Sequence, residues 1–173
     1  MVLIVSKHIA FNLEKKTMEY HQKYKGLSIA DYFVKKCIEQ NIPVTNMSIL
    51  NMIYFAHGFS YAIRHEPLIK DPFLAWQWGP VERNTYDCFK KYGAGSITSI
   101  SGETNDELVN LERDKELCDF LDKFIPLAKV NPFVLNKRTH IENGPWDVTT
   151  VYQYIDEKVI QVYFCAKYGN ETK

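Results

Sequence analysis

The residues of this 173-residue chain best suited to chemistry are five histidines, His8, His21, His57, His65 and His140, and four cysteines, Cys37, Cys88, Cys118 and Cys165. A metal site on a helix needs a second ligand three or four residues away. No histidine here has a histidine or carboxylate at that spacing. The cysteines lie tens of residues apart with no CxxC pair, so a zinc site of the usual spacing is absent and free thiols in a reducing cytosol are expected. Gly93-Ala94-Gly95-Ser96 lacks the GxxxxGK[ST] frame and any lysine to reach a phosphate. GxSxG, HExxH and EF-hand spacings are missing too. What remains for a hydrolase is a site assembled around His57 or His140. His57 lies in a largely apolar stretch and reads as a core or boundary histidine. His140 lies beside Asn143-Gly144-Pro145-Trp146, where its imidazole can lock a turn or serve binding. The expectation is a protein without catalytic residues, metal or cofactor.

The elements that must position these residues follow from composition and pattern. Hydrophobic residues make up 46% of the chain and charged residues 24%, enough apolar surface for one core without staples. Aromatic residues reach 14% and serve cores and interfaces alike. The formal net charge is +0, which counts against broad nucleic-acid affinity, since phosphate binding needs a basic excess. The opening Met1-Val2-Leu3-Ile4-Val5 is too short for a signal or a membrane span, and no later stretch approaches the ~18 apolar residues of one. A cytoplasmic protein with no membrane contact is expected.

Residues 1–27 read as an extension, a charged helix or mobile arm rich in Lys15, Lys16, Lys23 and Lys25. A first helix is expected from Ser28, as cap with Asp31 at N3, to Asn41. A second runs from Asn46 to Arg64, apolar on more than one side and therefore central, with Gly58 admitting a close backbone approach. Residues 65–81 read as irregular or as short strands, Leu68-Ile69 pairing with Phe73-Leu74-Ala75-Trp76 around Lys70-Asp71-Pro72. A third helix spans Val81 to Tyr92 and ends at Gly93. After a loop over 93–106, Thr104 and Glu107 fit a capping box. The helical pattern then continues to Lys129 with a break near Asp114. Asn131-Pro132 caps a short helix toward His140, Asn143-Gly144-Pro145 is a turn, and a last helix covers Asp156 to Tyr168. The fold class is mainly α, in the broad sense α+β: a single compact helical domain over 28–169 with one small β element, and a tail over 170–173.

Three segments, in this order, resemble the Panacea domain, an antitoxin family that includes SocA-type proteolysis adaptors and phage-associated proteins. Thr45 to Gly58, containing Ile53-Tyr54-Phe55-Ala56-His57-Gly58, is similar to the family's LQKLLYFAQG helix. Ala75-Trp76-Gln77-Trp78-Gly79-Pro80-Val81, then Tyr86 and Lys90-Lys91-Tyr92-Gly93, match AWxxGPV…VY…KYG. Thr139-His140 with Pro145-Trp146 is similar to THxxxPW. The resemblance covers about residues 28–168. It departs where the family's Gln-Lys pair is Leu50-Asn51, which puts a charged surface contact in doubt.

The resemblance implies an antitoxin that binds a cognate toxin, often encoded next door, and neutralises it directly. An adaptor that delivers the toxin to a AAA+ protease is the alternative. A phage or host-interaction protein that has lost antitoxin duty is a further one. The candidate partner-binding residues are Tyr54, Trp76, Trp78, Gly79, Pro80, Tyr86, Lys90, Tyr92, His140 and Trp146. One of Trp76 and Trp78 is expected to fill the core while the other faces solvent or a partner.

Overall fold

A computed structural model describes residues 24–169. Residues 1–23 of the expected extension over 1–27, and the tail over 170–173, lie outside these residues. The described chain is mainly α with one small antiparallel sheet, in the order α1 (Gly26–Glu39), α2 (Asn46–Phe59), a π-helical turn (Ser60–Arg64), β1 (Phe73–Trp76), β2 (Gly79–Glu82), α3 (Arg83–Phe89), a 3-10 turn (Lys90–Tyr92), α4 (Asn105–Arg113), α5 (Lys115–Asp122), a second 3-10 turn (Ile125–Lys129), α6 (Pro132–Thr139) and α7 (Glu157–Tyr168).

α2 is the centre. Thr45 caps it, its hydroxyl accepting from the Ser48 amide. Ile49, Met52, Ile53, Tyr54, Ala56, His57 and Gly58 are all buried, because α1, β2, α6, α7 and the second 3-10 turn pack around it. Each fully buried large apolar side chain contributes about 1.5–3 kcal/mol relative to exposure. Gly58 does admit a close neighbour, but the neighbour is a ring and not a backbone: a Cβ there would lie 2.3 Å from the Phe164 ring of α7. Phe164 in turn packs edge-on to Tyr54 and Phe59.

α1 begins at Gly26, two residues before the expected Ser28, and its first turn is capped from a distance. Asp71 accepts from the Gly26 amide at 2.8 Å, and Glu107 accepts from the Lys25 amide at 3.0 Å and from the Ser28 hydroxyl. Tyr24 is buried and pairs in parallel with Ile69, so Tyr24 to Leu27, counted with the extension, are built into the fold. Asp31 does not serve the helix dipole either. It is fully buried and accepts from the Ser101 amide at 2.7 Å, the Thr104 hydroxyl at 2.6 Å and the Ser101 hydroxyl, pinning the 97–104 loop. Thr104 and Glu107 therefore do not form a capping box; both are drawn to α1.

The hairpin also differs from expectation. Phe73–Trp76 pairs with Gly79–Glu82, not with Leu68-Ile69, around a tight turn at Gln77-Trp78. Val81 and Glu82 end a strand, and the third helix starts at Arg83. Buried Glu82 caps that helix, accepting from the Asn84 and Thr85 amides at 2.9 and 2.8 Å. The break at Asp114 is as expected: its carboxylate caps α5 by accepting from Leu117. Asn131 caps α6 ahead of Pro132, and Asp156 caps α7.

Two outcomes follow. Gly58→Ala forces a methyl into the Phe164 ring and is expected to cost about 1–3 kcal/mol in urea unfolding, the usual penalty of overpacking; an unchanged midpoint would contradict the packing. Glu107 is opposed by burial, which raises its pKa, but the Ser28 and Lys25 hydrogen bonds and Lys70 outweigh it and hold the carboxyl below its ordinary value of 4.5. A lowered folded-state pKa gives stability that is full above the ordinary glutamate range and lost as pH falls through the depressed value. Glu107→Gln should therefore flatten the loss of stability below about pH 4.5.

Candidate partner interface

The hairpin is built so that its tip is exposed while the outer edge of β1 is covered. Gly79 sits opposite Trp76 with φ +119°. A side chain there would be strained, and its Cβ would lie 2.4 Å from Asn136 Oδ1 of α6. Pro80 sits opposite Ala75. Ala75 turns its polar groups outward, its N–H donating to Gln153 O at 2.9 Å and its carbonyl accepting from Tyr152 at 2.6 Å. Pro80 is thus at a non-hydrogen-bonded position, where its missing N–H costs nothing. The segment 150–155 lies along β1 as an irregular third strand, with Ile155 N–H donating to Phe73 O at 2.8 Å.

The His140–Trp146 turn clamps this hairpin. The Trp146 indole N–H donates to Trp76 O at 2.8 Å. His140 Nδ1–H donates to Asn136 O at 2.7 Å, and its ring lies 3.7 Å from the Trp146 indole. The carbonyl partner fixes the proton on Nδ1. The Thr139 hydroxyl donates to the same Asn136 carbonyl at 2.7 Å. Asn136, buried beneath Gly79, joins the two motifs; the sequence reading missed it, although it stands three and four residues before Thr139 and His140 on one helix face.

The predicted residues fall into two groups. Tyr54, Gly79 and Pro80 are buried, Tyr54 among the rings of Phe55, Phe73 and Phe164. Burial pushes the Tyr54 phenol up. Trp76, Tyr86, Tyr92, His140 and Trp146 are half-buried. Trp78 and Lys90 are exposed, and Trp78, at 64%, stands in the hairpin turn. Trp76 meets Tyr86 edge-on at 4.8 Å, and the Arg83 guanidinium lies 5.6 Å over the Trp76 ring. Asp87 links Arg83 at 2.6 Å to Lys90 at 2.7 Å, and these two hydrogen bonds hold its carboxyl below the ordinary value. Tyr92 stands apart, its hydroxyl 3.0 Å from Ser99. Tyr152 and Tyr154, each 63% exposed, lie on the 150–155 segment beside β1.

His57 is elsewhere and fully occupied. It has no exposed surface; Nδ1 accepts from the Ile69 amide at 3.0 Å and Nε2 donates to Glu157 at 3.0 Å, where the Tyr61 hydroxyl also donates. This network joins α2, the π-helical turn and α7, and its partners Tyr61 and Glu157 were not expected. Among the described residues no group of three His, Cys, Asp or Glu is placed to hold a metal, and no helix is long and apolar enough to cross a membrane.

The hairpin and the His140–Trp146 turn are the parts that a sequence family would have to keep together. The model of the antitoxin SocA-like, Panacea-domain family matches residues 49–147, more than half of the chain and the span that contains both. The chain belongs to this Panacea-domain family. It is similar to Antitoxin SocA of Caulobacter vibrioides (strain NA1000 / CB15N), 26% identical over 133 residues that cover 73% of this chain and 71% of the relative. No solved structure matches it. In this Panacea domain the first motif supplies the core helix α2, and the second and third lock to each other through Gly79, Asn136 and Trp146.

Trp146→Phe keeps one aromatic ring but deletes the indole N–H and part of the packed volume. It is expected to lower stability by about 1–3 kcal/mol, a lost hydrogen bond plus a partial cavity, and to speed amide exchange in Phe73–Trp76. Unchanged exchange there would show that the clamp does not hold the hairpin.

Proposed function

We propose that this Panacea-domain protein works by association: it binds a cognate toxin encoded nearby and neutralises it directly, with the hairpin edge and the clamped turn as contact surface. The observation that carries this reading is the set of exposed aromatic side chains, Trp78 in the hairpin turn and Tyr152 and Tyr154 on the segment beside β1. Exposed Trp and Tyr on pre-ordered backbone present large apolar area at small entropy cost, and with Arg they dominate interface energetics. Arg83, beside Trp76, adds such an arginine. Family membership supports an antitoxin role in general and with it a toxin as partner. The two histidines considered for hydrolysis support a non-catalytic reading, since His57 is buried with both ring nitrogens engaged and His140 Nδ1 holds the turn.

Co-expression with the neighbouring gene product is the test. Growth rescue with a stable complex that survives affinity purification is the expected result. The double variant Trp78→Ala and Tyr154→Ala, both sites exposed, should keep the fold and weaken the complex by at least about tenfold, the effect of a single interface anchor. A folded double variant that binds as well as the wild type would remove this surface. Rescue that vanishes in cells lacking a AAA+ protease would replace direct neutralisation by delivery to that protease.

A further inference from the structure

α7 carries two apolar stripes, and the core uses one. Ile160 and Phe164 face inward and are buried. Val159, Val162, Tyr163 and Ala166 form a second stripe at i, i+3, i+4 and i+7, the spacing of one helix face. A surface helix needs only its inward face. This outer stripe instead floors a groove of about 550 Å³ walled on its far side by Asn143. Val162, in its middle, is 55% exposed.

The rim of the groove has a sign. Lys158 and Lys167 stand at its two ends, about 13 Å apart along the helix at 1.5 Å per residue. Neither meets a carboxylate among the described residues: Lys158 donates to Gln161 at 2.8 Å, and Lys167 donates to the Tyr163 hydroxyl at 3.0 Å while lying over the Tyr163 and Tyr168 rings. Arg138 lines the adjoining crevice, which shares Tyr163. Its guanidinium also forms no ion pair among the described residues.

We propose that the groove between the Asn143 turn and the outer face of α7 seats an amphipathic helix of the toxin, apolar on one side and acidic along its flanks. The occupant's being the toxin rests on the reading above; the groove's chemistry does not. An apolar floor of four side chains suits leucine-like knobs spaced as the floor is, and the cationic rim selects acidic flanks. A phosphate backbone would leave the floor unfilled. A lipid surface would also accept a lysine-flanked apolar stripe, and the vesicle arm of the test below tells it from a protein helix. The groove borders the far side of the clamped turn and lies on a helix that begins after the family match ends at residue 147.

The test titrates the full chain, followed by NMR, with a synthetic helix of about four turns bearing leucines at i, i+3, i+4 and i+7 and flanking glutamates. The expected result is shifts at Val159, Val162, Tyr163 and Ala166, and at least about tenfold weaker binding to Val162→Asp, whose exposed site keeps the fold. The double reversal Lys158→Glu and Lys167→Glu should lose the acidic peptide and gain its lysine counterpart. Shifts elsewhere, equal binding of the lysine peptide, or preferential binding to phosphatidylglycerol vesicles would overturn the proposal. With the neighbour-encoded toxin, Val162→Asp should weaken the complex by a similar factor. A wild-type complex that Val162→Asp leaves intact would end the groove assignment and spare toxin binding. No wild-type complex and no rescue would end toxin binding, and the peptide titration would still decide the groove.

Discussion

The burial of α2 on nearly every side is the constraint from which the rest of the structure follows. A helix surrounded by α1, β2, α6 and α7 carries buried polar side chains cheaply only where they find partners. His57 meets this by accepting from Ile69 and donating to Glu157, which ties the start of α7 and the Tyr24–Ile69 pairing to the same helix. Gly58, one residue on, must stay bare for Phe164 to lie across it. A histidine that looks reactive in a list of residues is thus a structural joint, placed where the core meets a backbone donor and a carboxylate.

The second consequence is a division of labour within the motifs. Of the motif residues, Gly79, Trp76 and Trp146 join the hairpin to the His140 turn, together with Asn136, which lies outside the motifs. The side chains offered to solvent are their neighbours: Trp78 in the turn, Tyr152 and Tyr154 on the third strand, and the outer stripe of α7. On the toxin-binding reading this separates what makes the fold from what chooses the partner. Partner surfaces can then change without loosening the clamp.

Much of this was legible in the chain. The starts of α2 near Asn46 and of α7 near Asp156, the Asn131-Pro132 cap and the break at Asp114 follow from local spacing and side-chain chemistry, and the structure has them. The misreadings share one cause. Ser28, Asp31, Thr104 and Glu107 look like local caps, but their polar atoms are taken by one another across more than 70 residues. The expected partner of 73–76 is Leu68-Ile69, whereas 79–82 takes that place, with Pro80 where no N–H is needed. Only the third strand at 150–155, invisible to periodicity, reveals that Ala75 faces away from it. The contact residues were hardest to find, since Tyr154 and Val162 gain their meaning from exposure, which spacing alone does not report.

Hydrogen–deuterium exchange of the chain alone and bound to its neighbour-encoded toxin tests the central claim most directly. The account predicts protection confined to the hairpin turn around Trp78, the 150–155 segment and α7, with α2 already protected and unchanged. A stable complex that instead protects the 93–104 loop or α4, leaving the hairpin edge and α7 as fast as in the free protein, would contradict it.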